Sequence, residues 1–401
     1  MATQATSADL PKTTRTALSR VLQPIETARG LPNDCYTDPA VYALESARIF
    51  AGGWACAGFA HDVAAPGDLH PFEIAGMPLL MLRDGDGAIR VFHNVCRHRG
   101  RILVPAPGHT RKAIAYPYHS WTYGLDGRLI GTPHIGGPGV HACAGFDGEN
   151  ISLAAVRSAE WFGLVFVDLS GEAEDFAAYI GPVADRWRAF DGVALSPGGD
   201  AARITFDLAC NWKLAVENYC EAYHLPWVHP ALNKYSPLDR HYAIIAGGHA
   251  GQGTEIYAPK LPKGCPPFPD APGLTAPWHT GSEYIALFPN VLLGMHRDHF
   301  YAGLVLPDGP GRTRERFDYF YFAAAGRDAT FAPSRAANRD LWRAVFAEDQ
   351  DAVESMQSGR ASPGFDGGIF SPAMDPATHA FHAWVARALL DGRGPLQDGT
   401  A

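Results

Sequence analysis

The sequence predicts an α+β fold in which a small all-β domain precedes a larger domain of mixed helices and strands. Between Trp54 and Asp168, short apolar runs alternate with Gly, Pro and Asp residues, which is the pattern of strands joined by turns. Beyond Asp168, segments with apolar residues at helical spacing separate further strand-like runs. We therefore predict three parts along the chain, namely an N-terminal arm at 1–37, an all-β domain at 38–168 and an α+β domain at 169–401.

The composition is that of an ordinary globular protein, with 47% hydrophobic and 19% charged residues. A net charge of −9 argues against binding to nucleic acid or to an anionic membrane, and no apolar run approaches membrane-spanning length. The polar, Thr/Ala-rich segment 1–29 favours a flexible arm over a signal peptide. Seven scattered cysteines fit reduced thiols better than a disulfide framework, so we expect a cytoplasmic protein.

The elements of each domain follow from local patterns. In the first domain, a helix is predicted over 38–51, and apolar runs predict strands at 78–82, 89–92 and 164–167. In the second domain, helical spacing recurs at 176–190, 212–224 and 339–358, whereas strands are predicted at 203–208, 283–287 and 317–322. The Pro/Gly-rich segment 260–277 predicts a long loop, which we interpret as a lid or part of a site entrance.

Two short motifs in the β domain carry residues that bind metals. The first is Cys96-Arg97-His98, and the second is Tyr116-Pro117-Tyr118-His119. A Cys-x-His pair followed by a Cys-x-x-His pair is how a Rieske centre binds the two irons of a [2Fe–2S] cluster, one through thiolates and one through imidazoles. We therefore predict Cys96, His98 and His119 as cluster ligands, with Tyr116 at the fourth position, where a cysteine is expected.

Tyr116 is the main departure from that pattern. A tyrosine oxygen lies a whole ring further from the backbone than a cysteine sulfur, and phenolate is a harder donor than the thiolate that suits iron–sulfur chemistry. Three explanations remain open: a natural protein that has lost its cluster, a substituted chain, or an unusual cluster with three ligands. We favour loss or strong impairment of the cluster.

A second group of metal-binding residues lies in the predicted helix at 212–224 and just beyond it. Asn218, Glu221 and His224 are three residues apart, so on a helix they lie along one side. Pro226 breaks the helix, which allows His229 to turn back towards His224. Two histidines in this arrangement need only a carboxylate to form the two-His-one-carboxylate site of non-haem iron(II) oxygenases.

The carboxylate is predicted further along the chain, at Asp349. On the predicted helix at 339–358, Asp349 lies on the apolar stripe, seven residues after Trp342 and seven before Met356. A carboxylate on the core face of a helix is costly unless it is paired or binds a metal. The neighbouring acids Glu348 and Asp351 lie off this stripe, and we expect them to face solvent.

Taken together, these motifs resemble the α (oxygenase) subunits of the Rieske non-haem iron oxygenases, also called aromatic-ring-hydroxylating dioxygenases. The resemblance runs from about Val21 to Leu390. It is carried by Trp54, by the stretches 93–100, 116–128 and 211–230, and by Glu348, Asp349, Glu354 and Gln357. It implies a Rieske β domain beside a helix-grip catalytic domain with an antiparallel sheet.

The resemblance also implies roles for the predicted site residues. Mononuclear iron(II) is expected on His224, His229 and Asp349, with Glu221 connecting this site to a cluster histidine of a neighbouring subunit and Asn218 close to the metal. The chain has no Gly-x-Gly-x-x-Gly of its own for a nucleotide. Electrons from NAD(P)H are therefore expected to arrive through a separate ferredoxin or flavin reductase.

Within the family, the stretches 218–224 and 287–291 look most like the choline, glycine-betaine and stachydrine branch. Members of that branch oxidise N-methyl groups of quaternary amines with dioxygen, usually as homotrimers. We therefore expect hydroxylation or demethylation of a small N-methyl amine. Aromatic side chains near the predicted iron site could bind the cationic group by cation–π contacts, and the candidates are Tyr223, Trp227, Tyr284 and Phe288.

Other functions are compatible with the same residues. The first alternative is a homologue without a cluster that serves as a binding or structural subunit, a reading suggested by Tyr116. The second is an oxygenase whose substrate is an aromatic acid rather than an amine. A third is a mononuclear metalloenzyme that needs no external electrons.

Overall fold

The computed structural model describes residues 10–115 and 118–391, and the chain separates into two compact units. Of the described residues, one unit comprises those from Phe50 to Ala173, and the other combines residues 10–49 with residues 174–391. These boundaries differ from the predicted ones, because the segment 38–49 belongs to the second unit rather than to the β domain. The reason is packing that a local pattern does not reveal: the helix at Pro39–Glu45 contacts the C-terminal helix of that unit.

The first unit is all β, as predicted. Its main sheet has seven antiparallel strands in the order β1-β10-β9-β4-β3-β2-β5, and β6, β7 and β8 form a separate three-stranded sheet. The strands are β1 (Trp54–Phe59), β2 (Asp68–Ile74), β3 (Met77–Arg83), β4 (Ile89–His93), β5 (Gly108–His109), β6 (Ala113–Ala115), β7 (Thr122–Gly124), β8 (Leu129–Gly131), β9 (Ala155–Trp161) and β10 (Leu164–Asp168).

One hydrophobic core joins the two sheets of this unit. It includes Leu80 and Phe92 from the main sheet together with Trp121 and Tyr123 from the region of the small sheet, and Cys96 packs against it. The first predicted metal motif is therefore held on a rigid base.

The second unit is α+β, and the predicted fold class is confirmed. Its strands form one antiparallel sheet in the order β11-β18-β17-β16-β15-β14-β13, with β12 also paired to β18. These strands are β11 (Leu195–Pro197), β12 (Ile204–Leu208), β13 (His241–Ala246), β14 (His249–Thr254), β15 (Ser282–Leu287), β16 (Val291–Met295), β17 (His299–Pro307) and β18 (Thr313–Phe322). Its helices are α1 (Lys12–Val21), α2 (Asp34–Thr37), α3 (Pro39–Glu45), α4 (Phe176–Arg186), α5 (Trp212–Cys220), α6 (Leu225–Val228), α7 (Ala332–Gly359) and α8 (Pro376–Asp391).

The helices α5 and α7 position the second predicted metal site. Helix α5 packs on β14, β15 and β17 and also contacts α7. Its residues are mostly buried because the helix lies between the sheet and other helices. None of the helices in residues 10–115 and 118–391 is both long enough and apolar enough to cross a bilayer.

Part of the predicted N-terminal arm is an ordered helix. In α1, Thr14, Leu18 and Val21 are buried, and the helix packs against α8. Their spacing of four and then three residues makes one apolar side of a helix, a signal that the polar composition of the segment obscured. Residues 1–9 lie outside the part of the chain that the structure describes.

The predicted helix at 212–224 is shorter than expected. Helix α5 ends at Cys220, and Glu221 already has extended backbone angles. The spacing had suggested that Asn218, Glu221 and His224 lie along one side of a helix. This prediction is wrong, because Glu221 and His224 lie beyond the end of α5. Pro226 does not break this helix, which ends six residues earlier; it lies in the first turn of the short helix α6, where its missing N–H costs nothing.

Candidate metal centres

His224, His229 and Asp349 lie together although Asp349 is 120 residues further along the chain, on a different helix. His224 immediately precedes α6, His229 immediately follows it, and Asp349 lies in α7. One ligand atom of each residue lies within 4.8 Å of the others. Nε2 of His229 is 3.0 Å from Oδ1 of Asp349, and Nε2 of His224 is 3.6 Å from the same oxygen. Two imidazoles and one carboxylate on one side of a site match the donor set of mononuclear iron(II).

Two further carboxylates orient the histidine rings. Nδ1 of His224 lies 2.6 Å from Oε1 of Glu221, and Nδ1 of His229 lies 2.7 Å from Oε2 of Glu348. A carboxylate only accepts hydrogen bonds, so each Nδ1–H donates to its acid and each Nε2 keeps its lone pair for a metal. Carboxylate–histidine pairs of this kind accompany most protein metal sites. The residues therefore fit an iron(II) ion.

Glu348 is exposed, as predicted, but it also contacts the metal site, which the prediction did not include. Its side chain is 41% exposed, yet its carboxylate reaches the nearly buried ring of His229. The apolar stripe of the predicted helix indicated the direction of the Cβ atom of Glu348. It did not indicate how far the glutamate side chain extends from there. A usable signal was present, because a metal-binding histidine needs an acceptor for its other nitrogen and Glu348 directly precedes Asp349.

Burial lowers the pKa of His229, but the two acids reverse this effect. Hydrogen bonds and charges from Asp349 and Glu348 outweigh desolvation and raise its pKa overall. The ring is therefore in an electron-rich setting, which makes it a stronger ligand for a cation.

Asn218 contacts the same site from α5. Its Nδ2 donates to Oδ1 of Asp349 at 3.1 Å, which helps to hold this carboxylate in place. The predicted proximity of Asn218 to the metal ligands is therefore observed, although Glu221 lies beyond the helix end. Besides His224, the carboxylate of Glu221 accepts from the backbone N–H groups of Tyr223 and His224.

Buried polar contacts anchor the start of α5. Asn211 caps the helix by accepting from the N–H of Lys213, whose ammonium is fully buried against the carboxylate of Glu45 at 2.7 Å. Gln357 of α7 accepts from the N–H of Asn211, and Glu354 accepts from the N–H of Ala209. These contacts tie α7 to the beginning of α5, so Asp349 is held beside Asn218.

A pocket opens beside Asp349 between α5, α7 and the sheet. It contains about 340 Å³ of space, part of it open to solvent. Its lining includes aromatic rings, aliphatic side chains and, besides Asp349, a second carboxylate. The polar and aromatic lining residues include Asn218, Tyr219, Glu315, Phe317, Phe346 and Asp349.

The four aromatic residues predicted near the iron have different environments. Trp227 is 71% exposed and Tyr223 is 44% exposed, so neither encloses a ligand in this chain. Phe288 packs on Phe381 and Trp384 instead of lining the pocket. Tyr284 alone joins a buried aromatic group near the site, through contacts with His296 and Trp342.

In the first unit, three predicted cluster ligands lie around a second pocket of about 240 Å³. Cys96 is partly buried, whereas His98 and His119 are exposed, and their rings are 4.7 Å apart. His98 also stacks on Trp121 with an interplanar angle of 8°. A thiolate below two exposed imidazoles fits three ligands of a Rieske cluster. Tyr116 and Pro117 lie outside the described residues.

Tyr123 contacts the sulfur of Cys96. Its hydroxyl lies 3.4 Å from Sγ of Cys96 and accepts the N–H of Arg97 at 3.0 Å. Because the oxygen already accepts from Arg97, its own hydrogen is free to donate to the sulfur. Hydrogen bonds to cluster sulfurs are one way in which proteins set a reduction potential. The predictions did not include Tyr123.

Two family models match the two units. Residues 53–143 match the Rieske [2Fe-2S] domain, and residues 198–391 match the ring hydroxylating alpha subunit (catalytic domain). The chloroplastic choline monooxygenase of Arabidopsis thaliana is 28% identical over 379 residues, which cover 90% of this chain and 82% of that protein. The carnitine monooxygenase oxygenase subunit of Escherichia coli (strain K12) is 31% identical over 226 residues, covering 55% and 58% respectively.

Solved structures show the same fold. A quaternary ammonium Rieske monooxygenase studied for carnitine oxidation aligns with a TM-score of 0.76 at 22% identity, covering 95% of this chain and 99% of that one. Naphthalene 1,2-dioxygenase from Rhodococcus sp. aligns with a TM-score of 0.75 at 21% identity, with the same coverage.

One chain thus carries a Rieske-type unit and a unit with a two-His-one-carboxylate site. Each unit matches the corresponding family model, and relatives match across nearly the whole length. The chain belongs to the α (oxygenase) subunits of the Rieske non-haem iron oxygenases, enzymes that combine a [2Fe–2S] domain with a mononuclear iron domain and receive electrons from a separate reductase.

Proposed function

We propose that the chain hydroxylates an N-methyl group of a small quaternary or tertiary amine. The hydroxylated methyl group then leaves as an aldehyde, and the demethylated amine remains. The names of the relatives support an amine, since choline and carnitine are both quaternary ammonium compounds.

The buried carboxylate of Glu315 is the observation that carries the choice of a cationic substrate. Glu315 is 8% exposed, lines the pocket beside Asp349 and has no hydrogen bond or ion pair with any described residue. Burial, together with the charge of Asp349, raises its pKa to about 8. The raised pKa reflects the cost of burying this charge without a partner, and a cation that enters the pocket favours the ionised form of Glu315 and is stabilised by it. The rings of Tyr219, Phe317 and Phe346 add cation–π surface.

In this proposal His224, His229 and Asp349 bind iron(II), with Glu221 and Glu348 as the acids that orient the two rings. Bound at this site, iron(II) supplies dioxygen activation with electrons that pass through a Rieske cluster. Glu221 carries the second role implied by the family resemblance, as the link to a cluster histidine of a neighbouring subunit. Asn218 holds the carboxylate of Asp349 by its hydrogen bond.

We further propose a homotrimer that is reduced by a separate ferredoxin or flavin reductase at the expense of NAD(P)H. The linking role of Glu221 requires a neighbouring subunit, because Glu221 can contact a cluster histidine only if another chain places that histidine beside it. A cytoplasmic location agrees with seven free cysteines in a chain without described disulfides.

Tyr116 is a specific observation in favour of a second candidate function. If the chain holds no cluster, it serves as a binding or structural subunit, co-assembled with an oxygenase subunit that has all four ligands. An aromatic acid remains the alternative substrate, although its carboxylate would lie in the same pocket as the carboxyl groups of Glu315 and Asp349.

Calorimetric titration of the iron-loaded protein tests the substrate class. We expect choline and glycine betaine to bind more tightly than benzoate, and Glu315→Gln to weaken binding of the cations about tenfold or more. Asp207→Asn serves as control, because Asp207 is an exposed acid on the adjacent strand β12. Tighter binding of benzoate would reverse the assignment in favour of an aromatic acid. Release of formaldehyde in the presence of a reductase separates an enzyme from a binding subunit.

A further inference from the structure

Five buried polar atoms without a described partner lie close together in the second unit. They belong to side chains that are at most 9% exposed, from strands β17 and β18, from the turn between β16 and β17, from the segment after β14 and from α7. The atoms are the hydroxyls of Tyr257 and Tyr319, Nε2 of His296 and of His299, and Nε1 of Trp342; the hydroxyl of Tyr284, whose ring contacts His296 and Trp342, is a sixth such atom beside them. We call these five side chains the polar aromatic cluster.

The members of the cluster are in mutual contact. The ring of His296 stacks on that of His299 with centroids 4.2 Å apart, and it lies 4.5 Å from Tyr257 and 5.4 Å from Trp342. Tyr319 joins through His299 at 6.5 Å. The unpaired atoms are therefore one local feature and not five scattered exceptions.

Unpaired buried polar atoms are rare in folded proteins, because each costs about as much free energy as a lost hydrogen bond. Elsewhere in the unit, comparable tyrosines are paired: the hydroxyl of Tyr179 donates to the carbonyl of Phe288 at 2.8 Å. Five exceptions in one cluster indicate that groups from outside the chain complete these hydrogen bonds. Ordered water does so before a ligand arrives.

The cluster borders the pocket beside Asp349. Phe346, which lines that pocket, contacts the ring of Trp342 at 5.5 Å. Trp342 precedes Asp349 by seven residues on α7, a distance of about 10 Å along a helix. The cluster residues do not themselves line the pocket, and Phe346 lies between the two; a ligand with one end beside Asp349 and several bonds to its other end is long enough to span this distance.

The chemistry of the unpaired atoms defines what this other end must carry. Nε1 of Trp342 can only donate, and the two hydroxyls also have hydrogens to donate. His299 uses Nδ1 for Asp298 at 2.7 Å, and His296 uses Nδ1 for Ser282 at 2.9 Å, so only their Nε2 atoms are free for a ligand. A set dominated by donors calls for oxygen acceptors.

We propose that the polar aromatic cluster binds the hydroxyl or carboxylate oxygen at the end of the substrate remote from its N-methyl group. This inference rests on the proposed function for the identity of the ligand, since the N-methyl group is assigned to the iron site. The cluster then selects among N-methyl amines: those with an oxygen several bonds from the nitrogen bind better than purely aliphatic ones.

The test uses three trimethylammonium ligands that share the cationic head. Butyltrimethylammonium has no oxygen, (3-hydroxypropyl)trimethylammonium has a hydroxyl, and 4-(trimethylammonio)butanoate has a carboxylate. Calorimetry on the full-length, iron-loaded protein compares their dissociation constants for the original chain, Tyr257→Phe and Tyr319→Phe. Each substitution deletes one hydroxyl and leaves the ring.

Tyr301→Phe is the matched control. Tyr301 contacts Trp342 in the same region, but its hydroxyl lies 3.0 Å from that of Tyr219, which itself donates to the carbonyl of Leu293. Tyr301 therefore gives its hydrogen to Tyr219 and has none for a ligand. Removal of this hydroxyl should affect all three ligands to the same extent.

We expect Tyr257→Phe and Tyr319→Phe to weaken the oxygen-bearing ligands about 3- to 10-fold and to leave butyltrimethylammonium within about twofold. Whether hydroxyl or carboxylate is preferred follows from which of the two ligands loses more. Equal effects on all three ligands would overturn the proposal that the polar aromatic cluster binds the substrate oxygen, and would leave the proposed function standing. Selective effects in the original chain, combined with no reductase-dependent turnover after Tyr116→Cys, would support the polar aromatic cluster and contradict the oxygenase proposal. Failure of all three ligands to bind would overturn both.

Discussion

Glu348 and His229 form a hydrogen bond of 2.7 Å between Oε2 and Nδ1, and the opposite nitrogen of the same ring lies 3.0 Å from Asp349. Two adjacent acids of α7 thus act on the two nitrogens of one imidazole. Glu348 fixes the tautomer and direction of the His229 ring. Asp349 lies at the same candidate metal position as Nε2 of that ring.

Removing Glu348 should therefore weaken iron binding without removing a ligand. We expect Glu348→Ala to lower the affinity for iron(II) about 10- to 100-fold, because the ring of His229 loses its acceptor. Glu348→Gln keeps an acceptor oxygen and should restore part of the loss. Competition with a chelator of known affinity measures both. Asp351→Ala, which replaces an exposed acid on the same helix, is the control. An equal loss of iron affinity in that variant would contradict the role of Glu348 in orienting His229.

Asp349→Ala should abolish iron retention while the fold stays intact. The carboxylate is the only anionic member of the proposed ligand set, and two neutral imidazoles alone do not hold iron(II) through purification. Metal analysis and circular dichroism of the purified protein check the two parts of this prediction. Asp351→Ala is again the reference, and undiminished iron in the Asp349 variant would show that the metal is bound elsewhere.

Glu221→Gln should retain iron but lose turnover coupled to the cluster. The amide oxygen can still accept from Nδ1 of His224, where the carboxylate now lies at 2.6 Å, so the ligand stays oriented. The amide lacks the charge and proton affinity needed to link two histidines. Iron content and substrate-dependent oxygen uptake are measured in a chain that also carries Tyr116→Cys. Full turnover in that protein would contradict the linking role.

The chain with Tyr116 should hold little or no Rieske cluster, and Tyr116→Cys should restore it. Cys96 alone leaves the thiolate-bound iron one sulfur short, whereas His98 and His119 already lie together for the other iron. Visible absorption, electron paramagnetic resonance of the reduced form and acid-labile sulfide are compared for the two proteins. A full Rieske signal from the Tyr116 protein would show that a single thiolate suffices.

His249 should make the second unit sensitive to acid. Burial, together with the charge of Arg186, lowers its pKa from 6.5 to about 4. The unfolded chain therefore binds a proton that the folded chain excludes, and stability falls as the pH drops from about 6.5 to about 4, by roughly 3 kcal/mol over the whole window.

His249→Leu should flatten this pH dependence, whatever it does to stability at neutral pH. Urea unfolding at pH 7.5, 5.5 and 4.5 measures the slope in both proteins. His279→Leu, which replaces an exposed histidine of the same unit, should leave the slope as it is. An unchanged slope in the His249 variant would mean that other groups govern the acid sensitivity.

The sequence by itself determined the fold class and the family, and it singled out the three residues that meet at the candidate metal site. Strand and helix periods are local properties, so they predicted β15 within one residue of its observed bounds and the C-terminal parts of β18 and α7, which begin four and seven residues earlier than predicted. Cys96, His98, His224 and His229 were recognisable because ligand chemistry requires particular residue types at short spacings. Asp349 was found because an acid on an apolar stripe is costly without a partner.

Only the tertiary structure decided how these residues meet. The end of α5 at Cys220, the burial of α1 and the reach of Glu348 to His229 all depend on neighbours that are distant in sequence. The same holds for Glu315 and the polar aromatic cluster, whose residues are unremarkable in their own segments. These residues stand out only because they are buried without partners. Burial depends on packing between elements and cannot be read from a local sequence pattern.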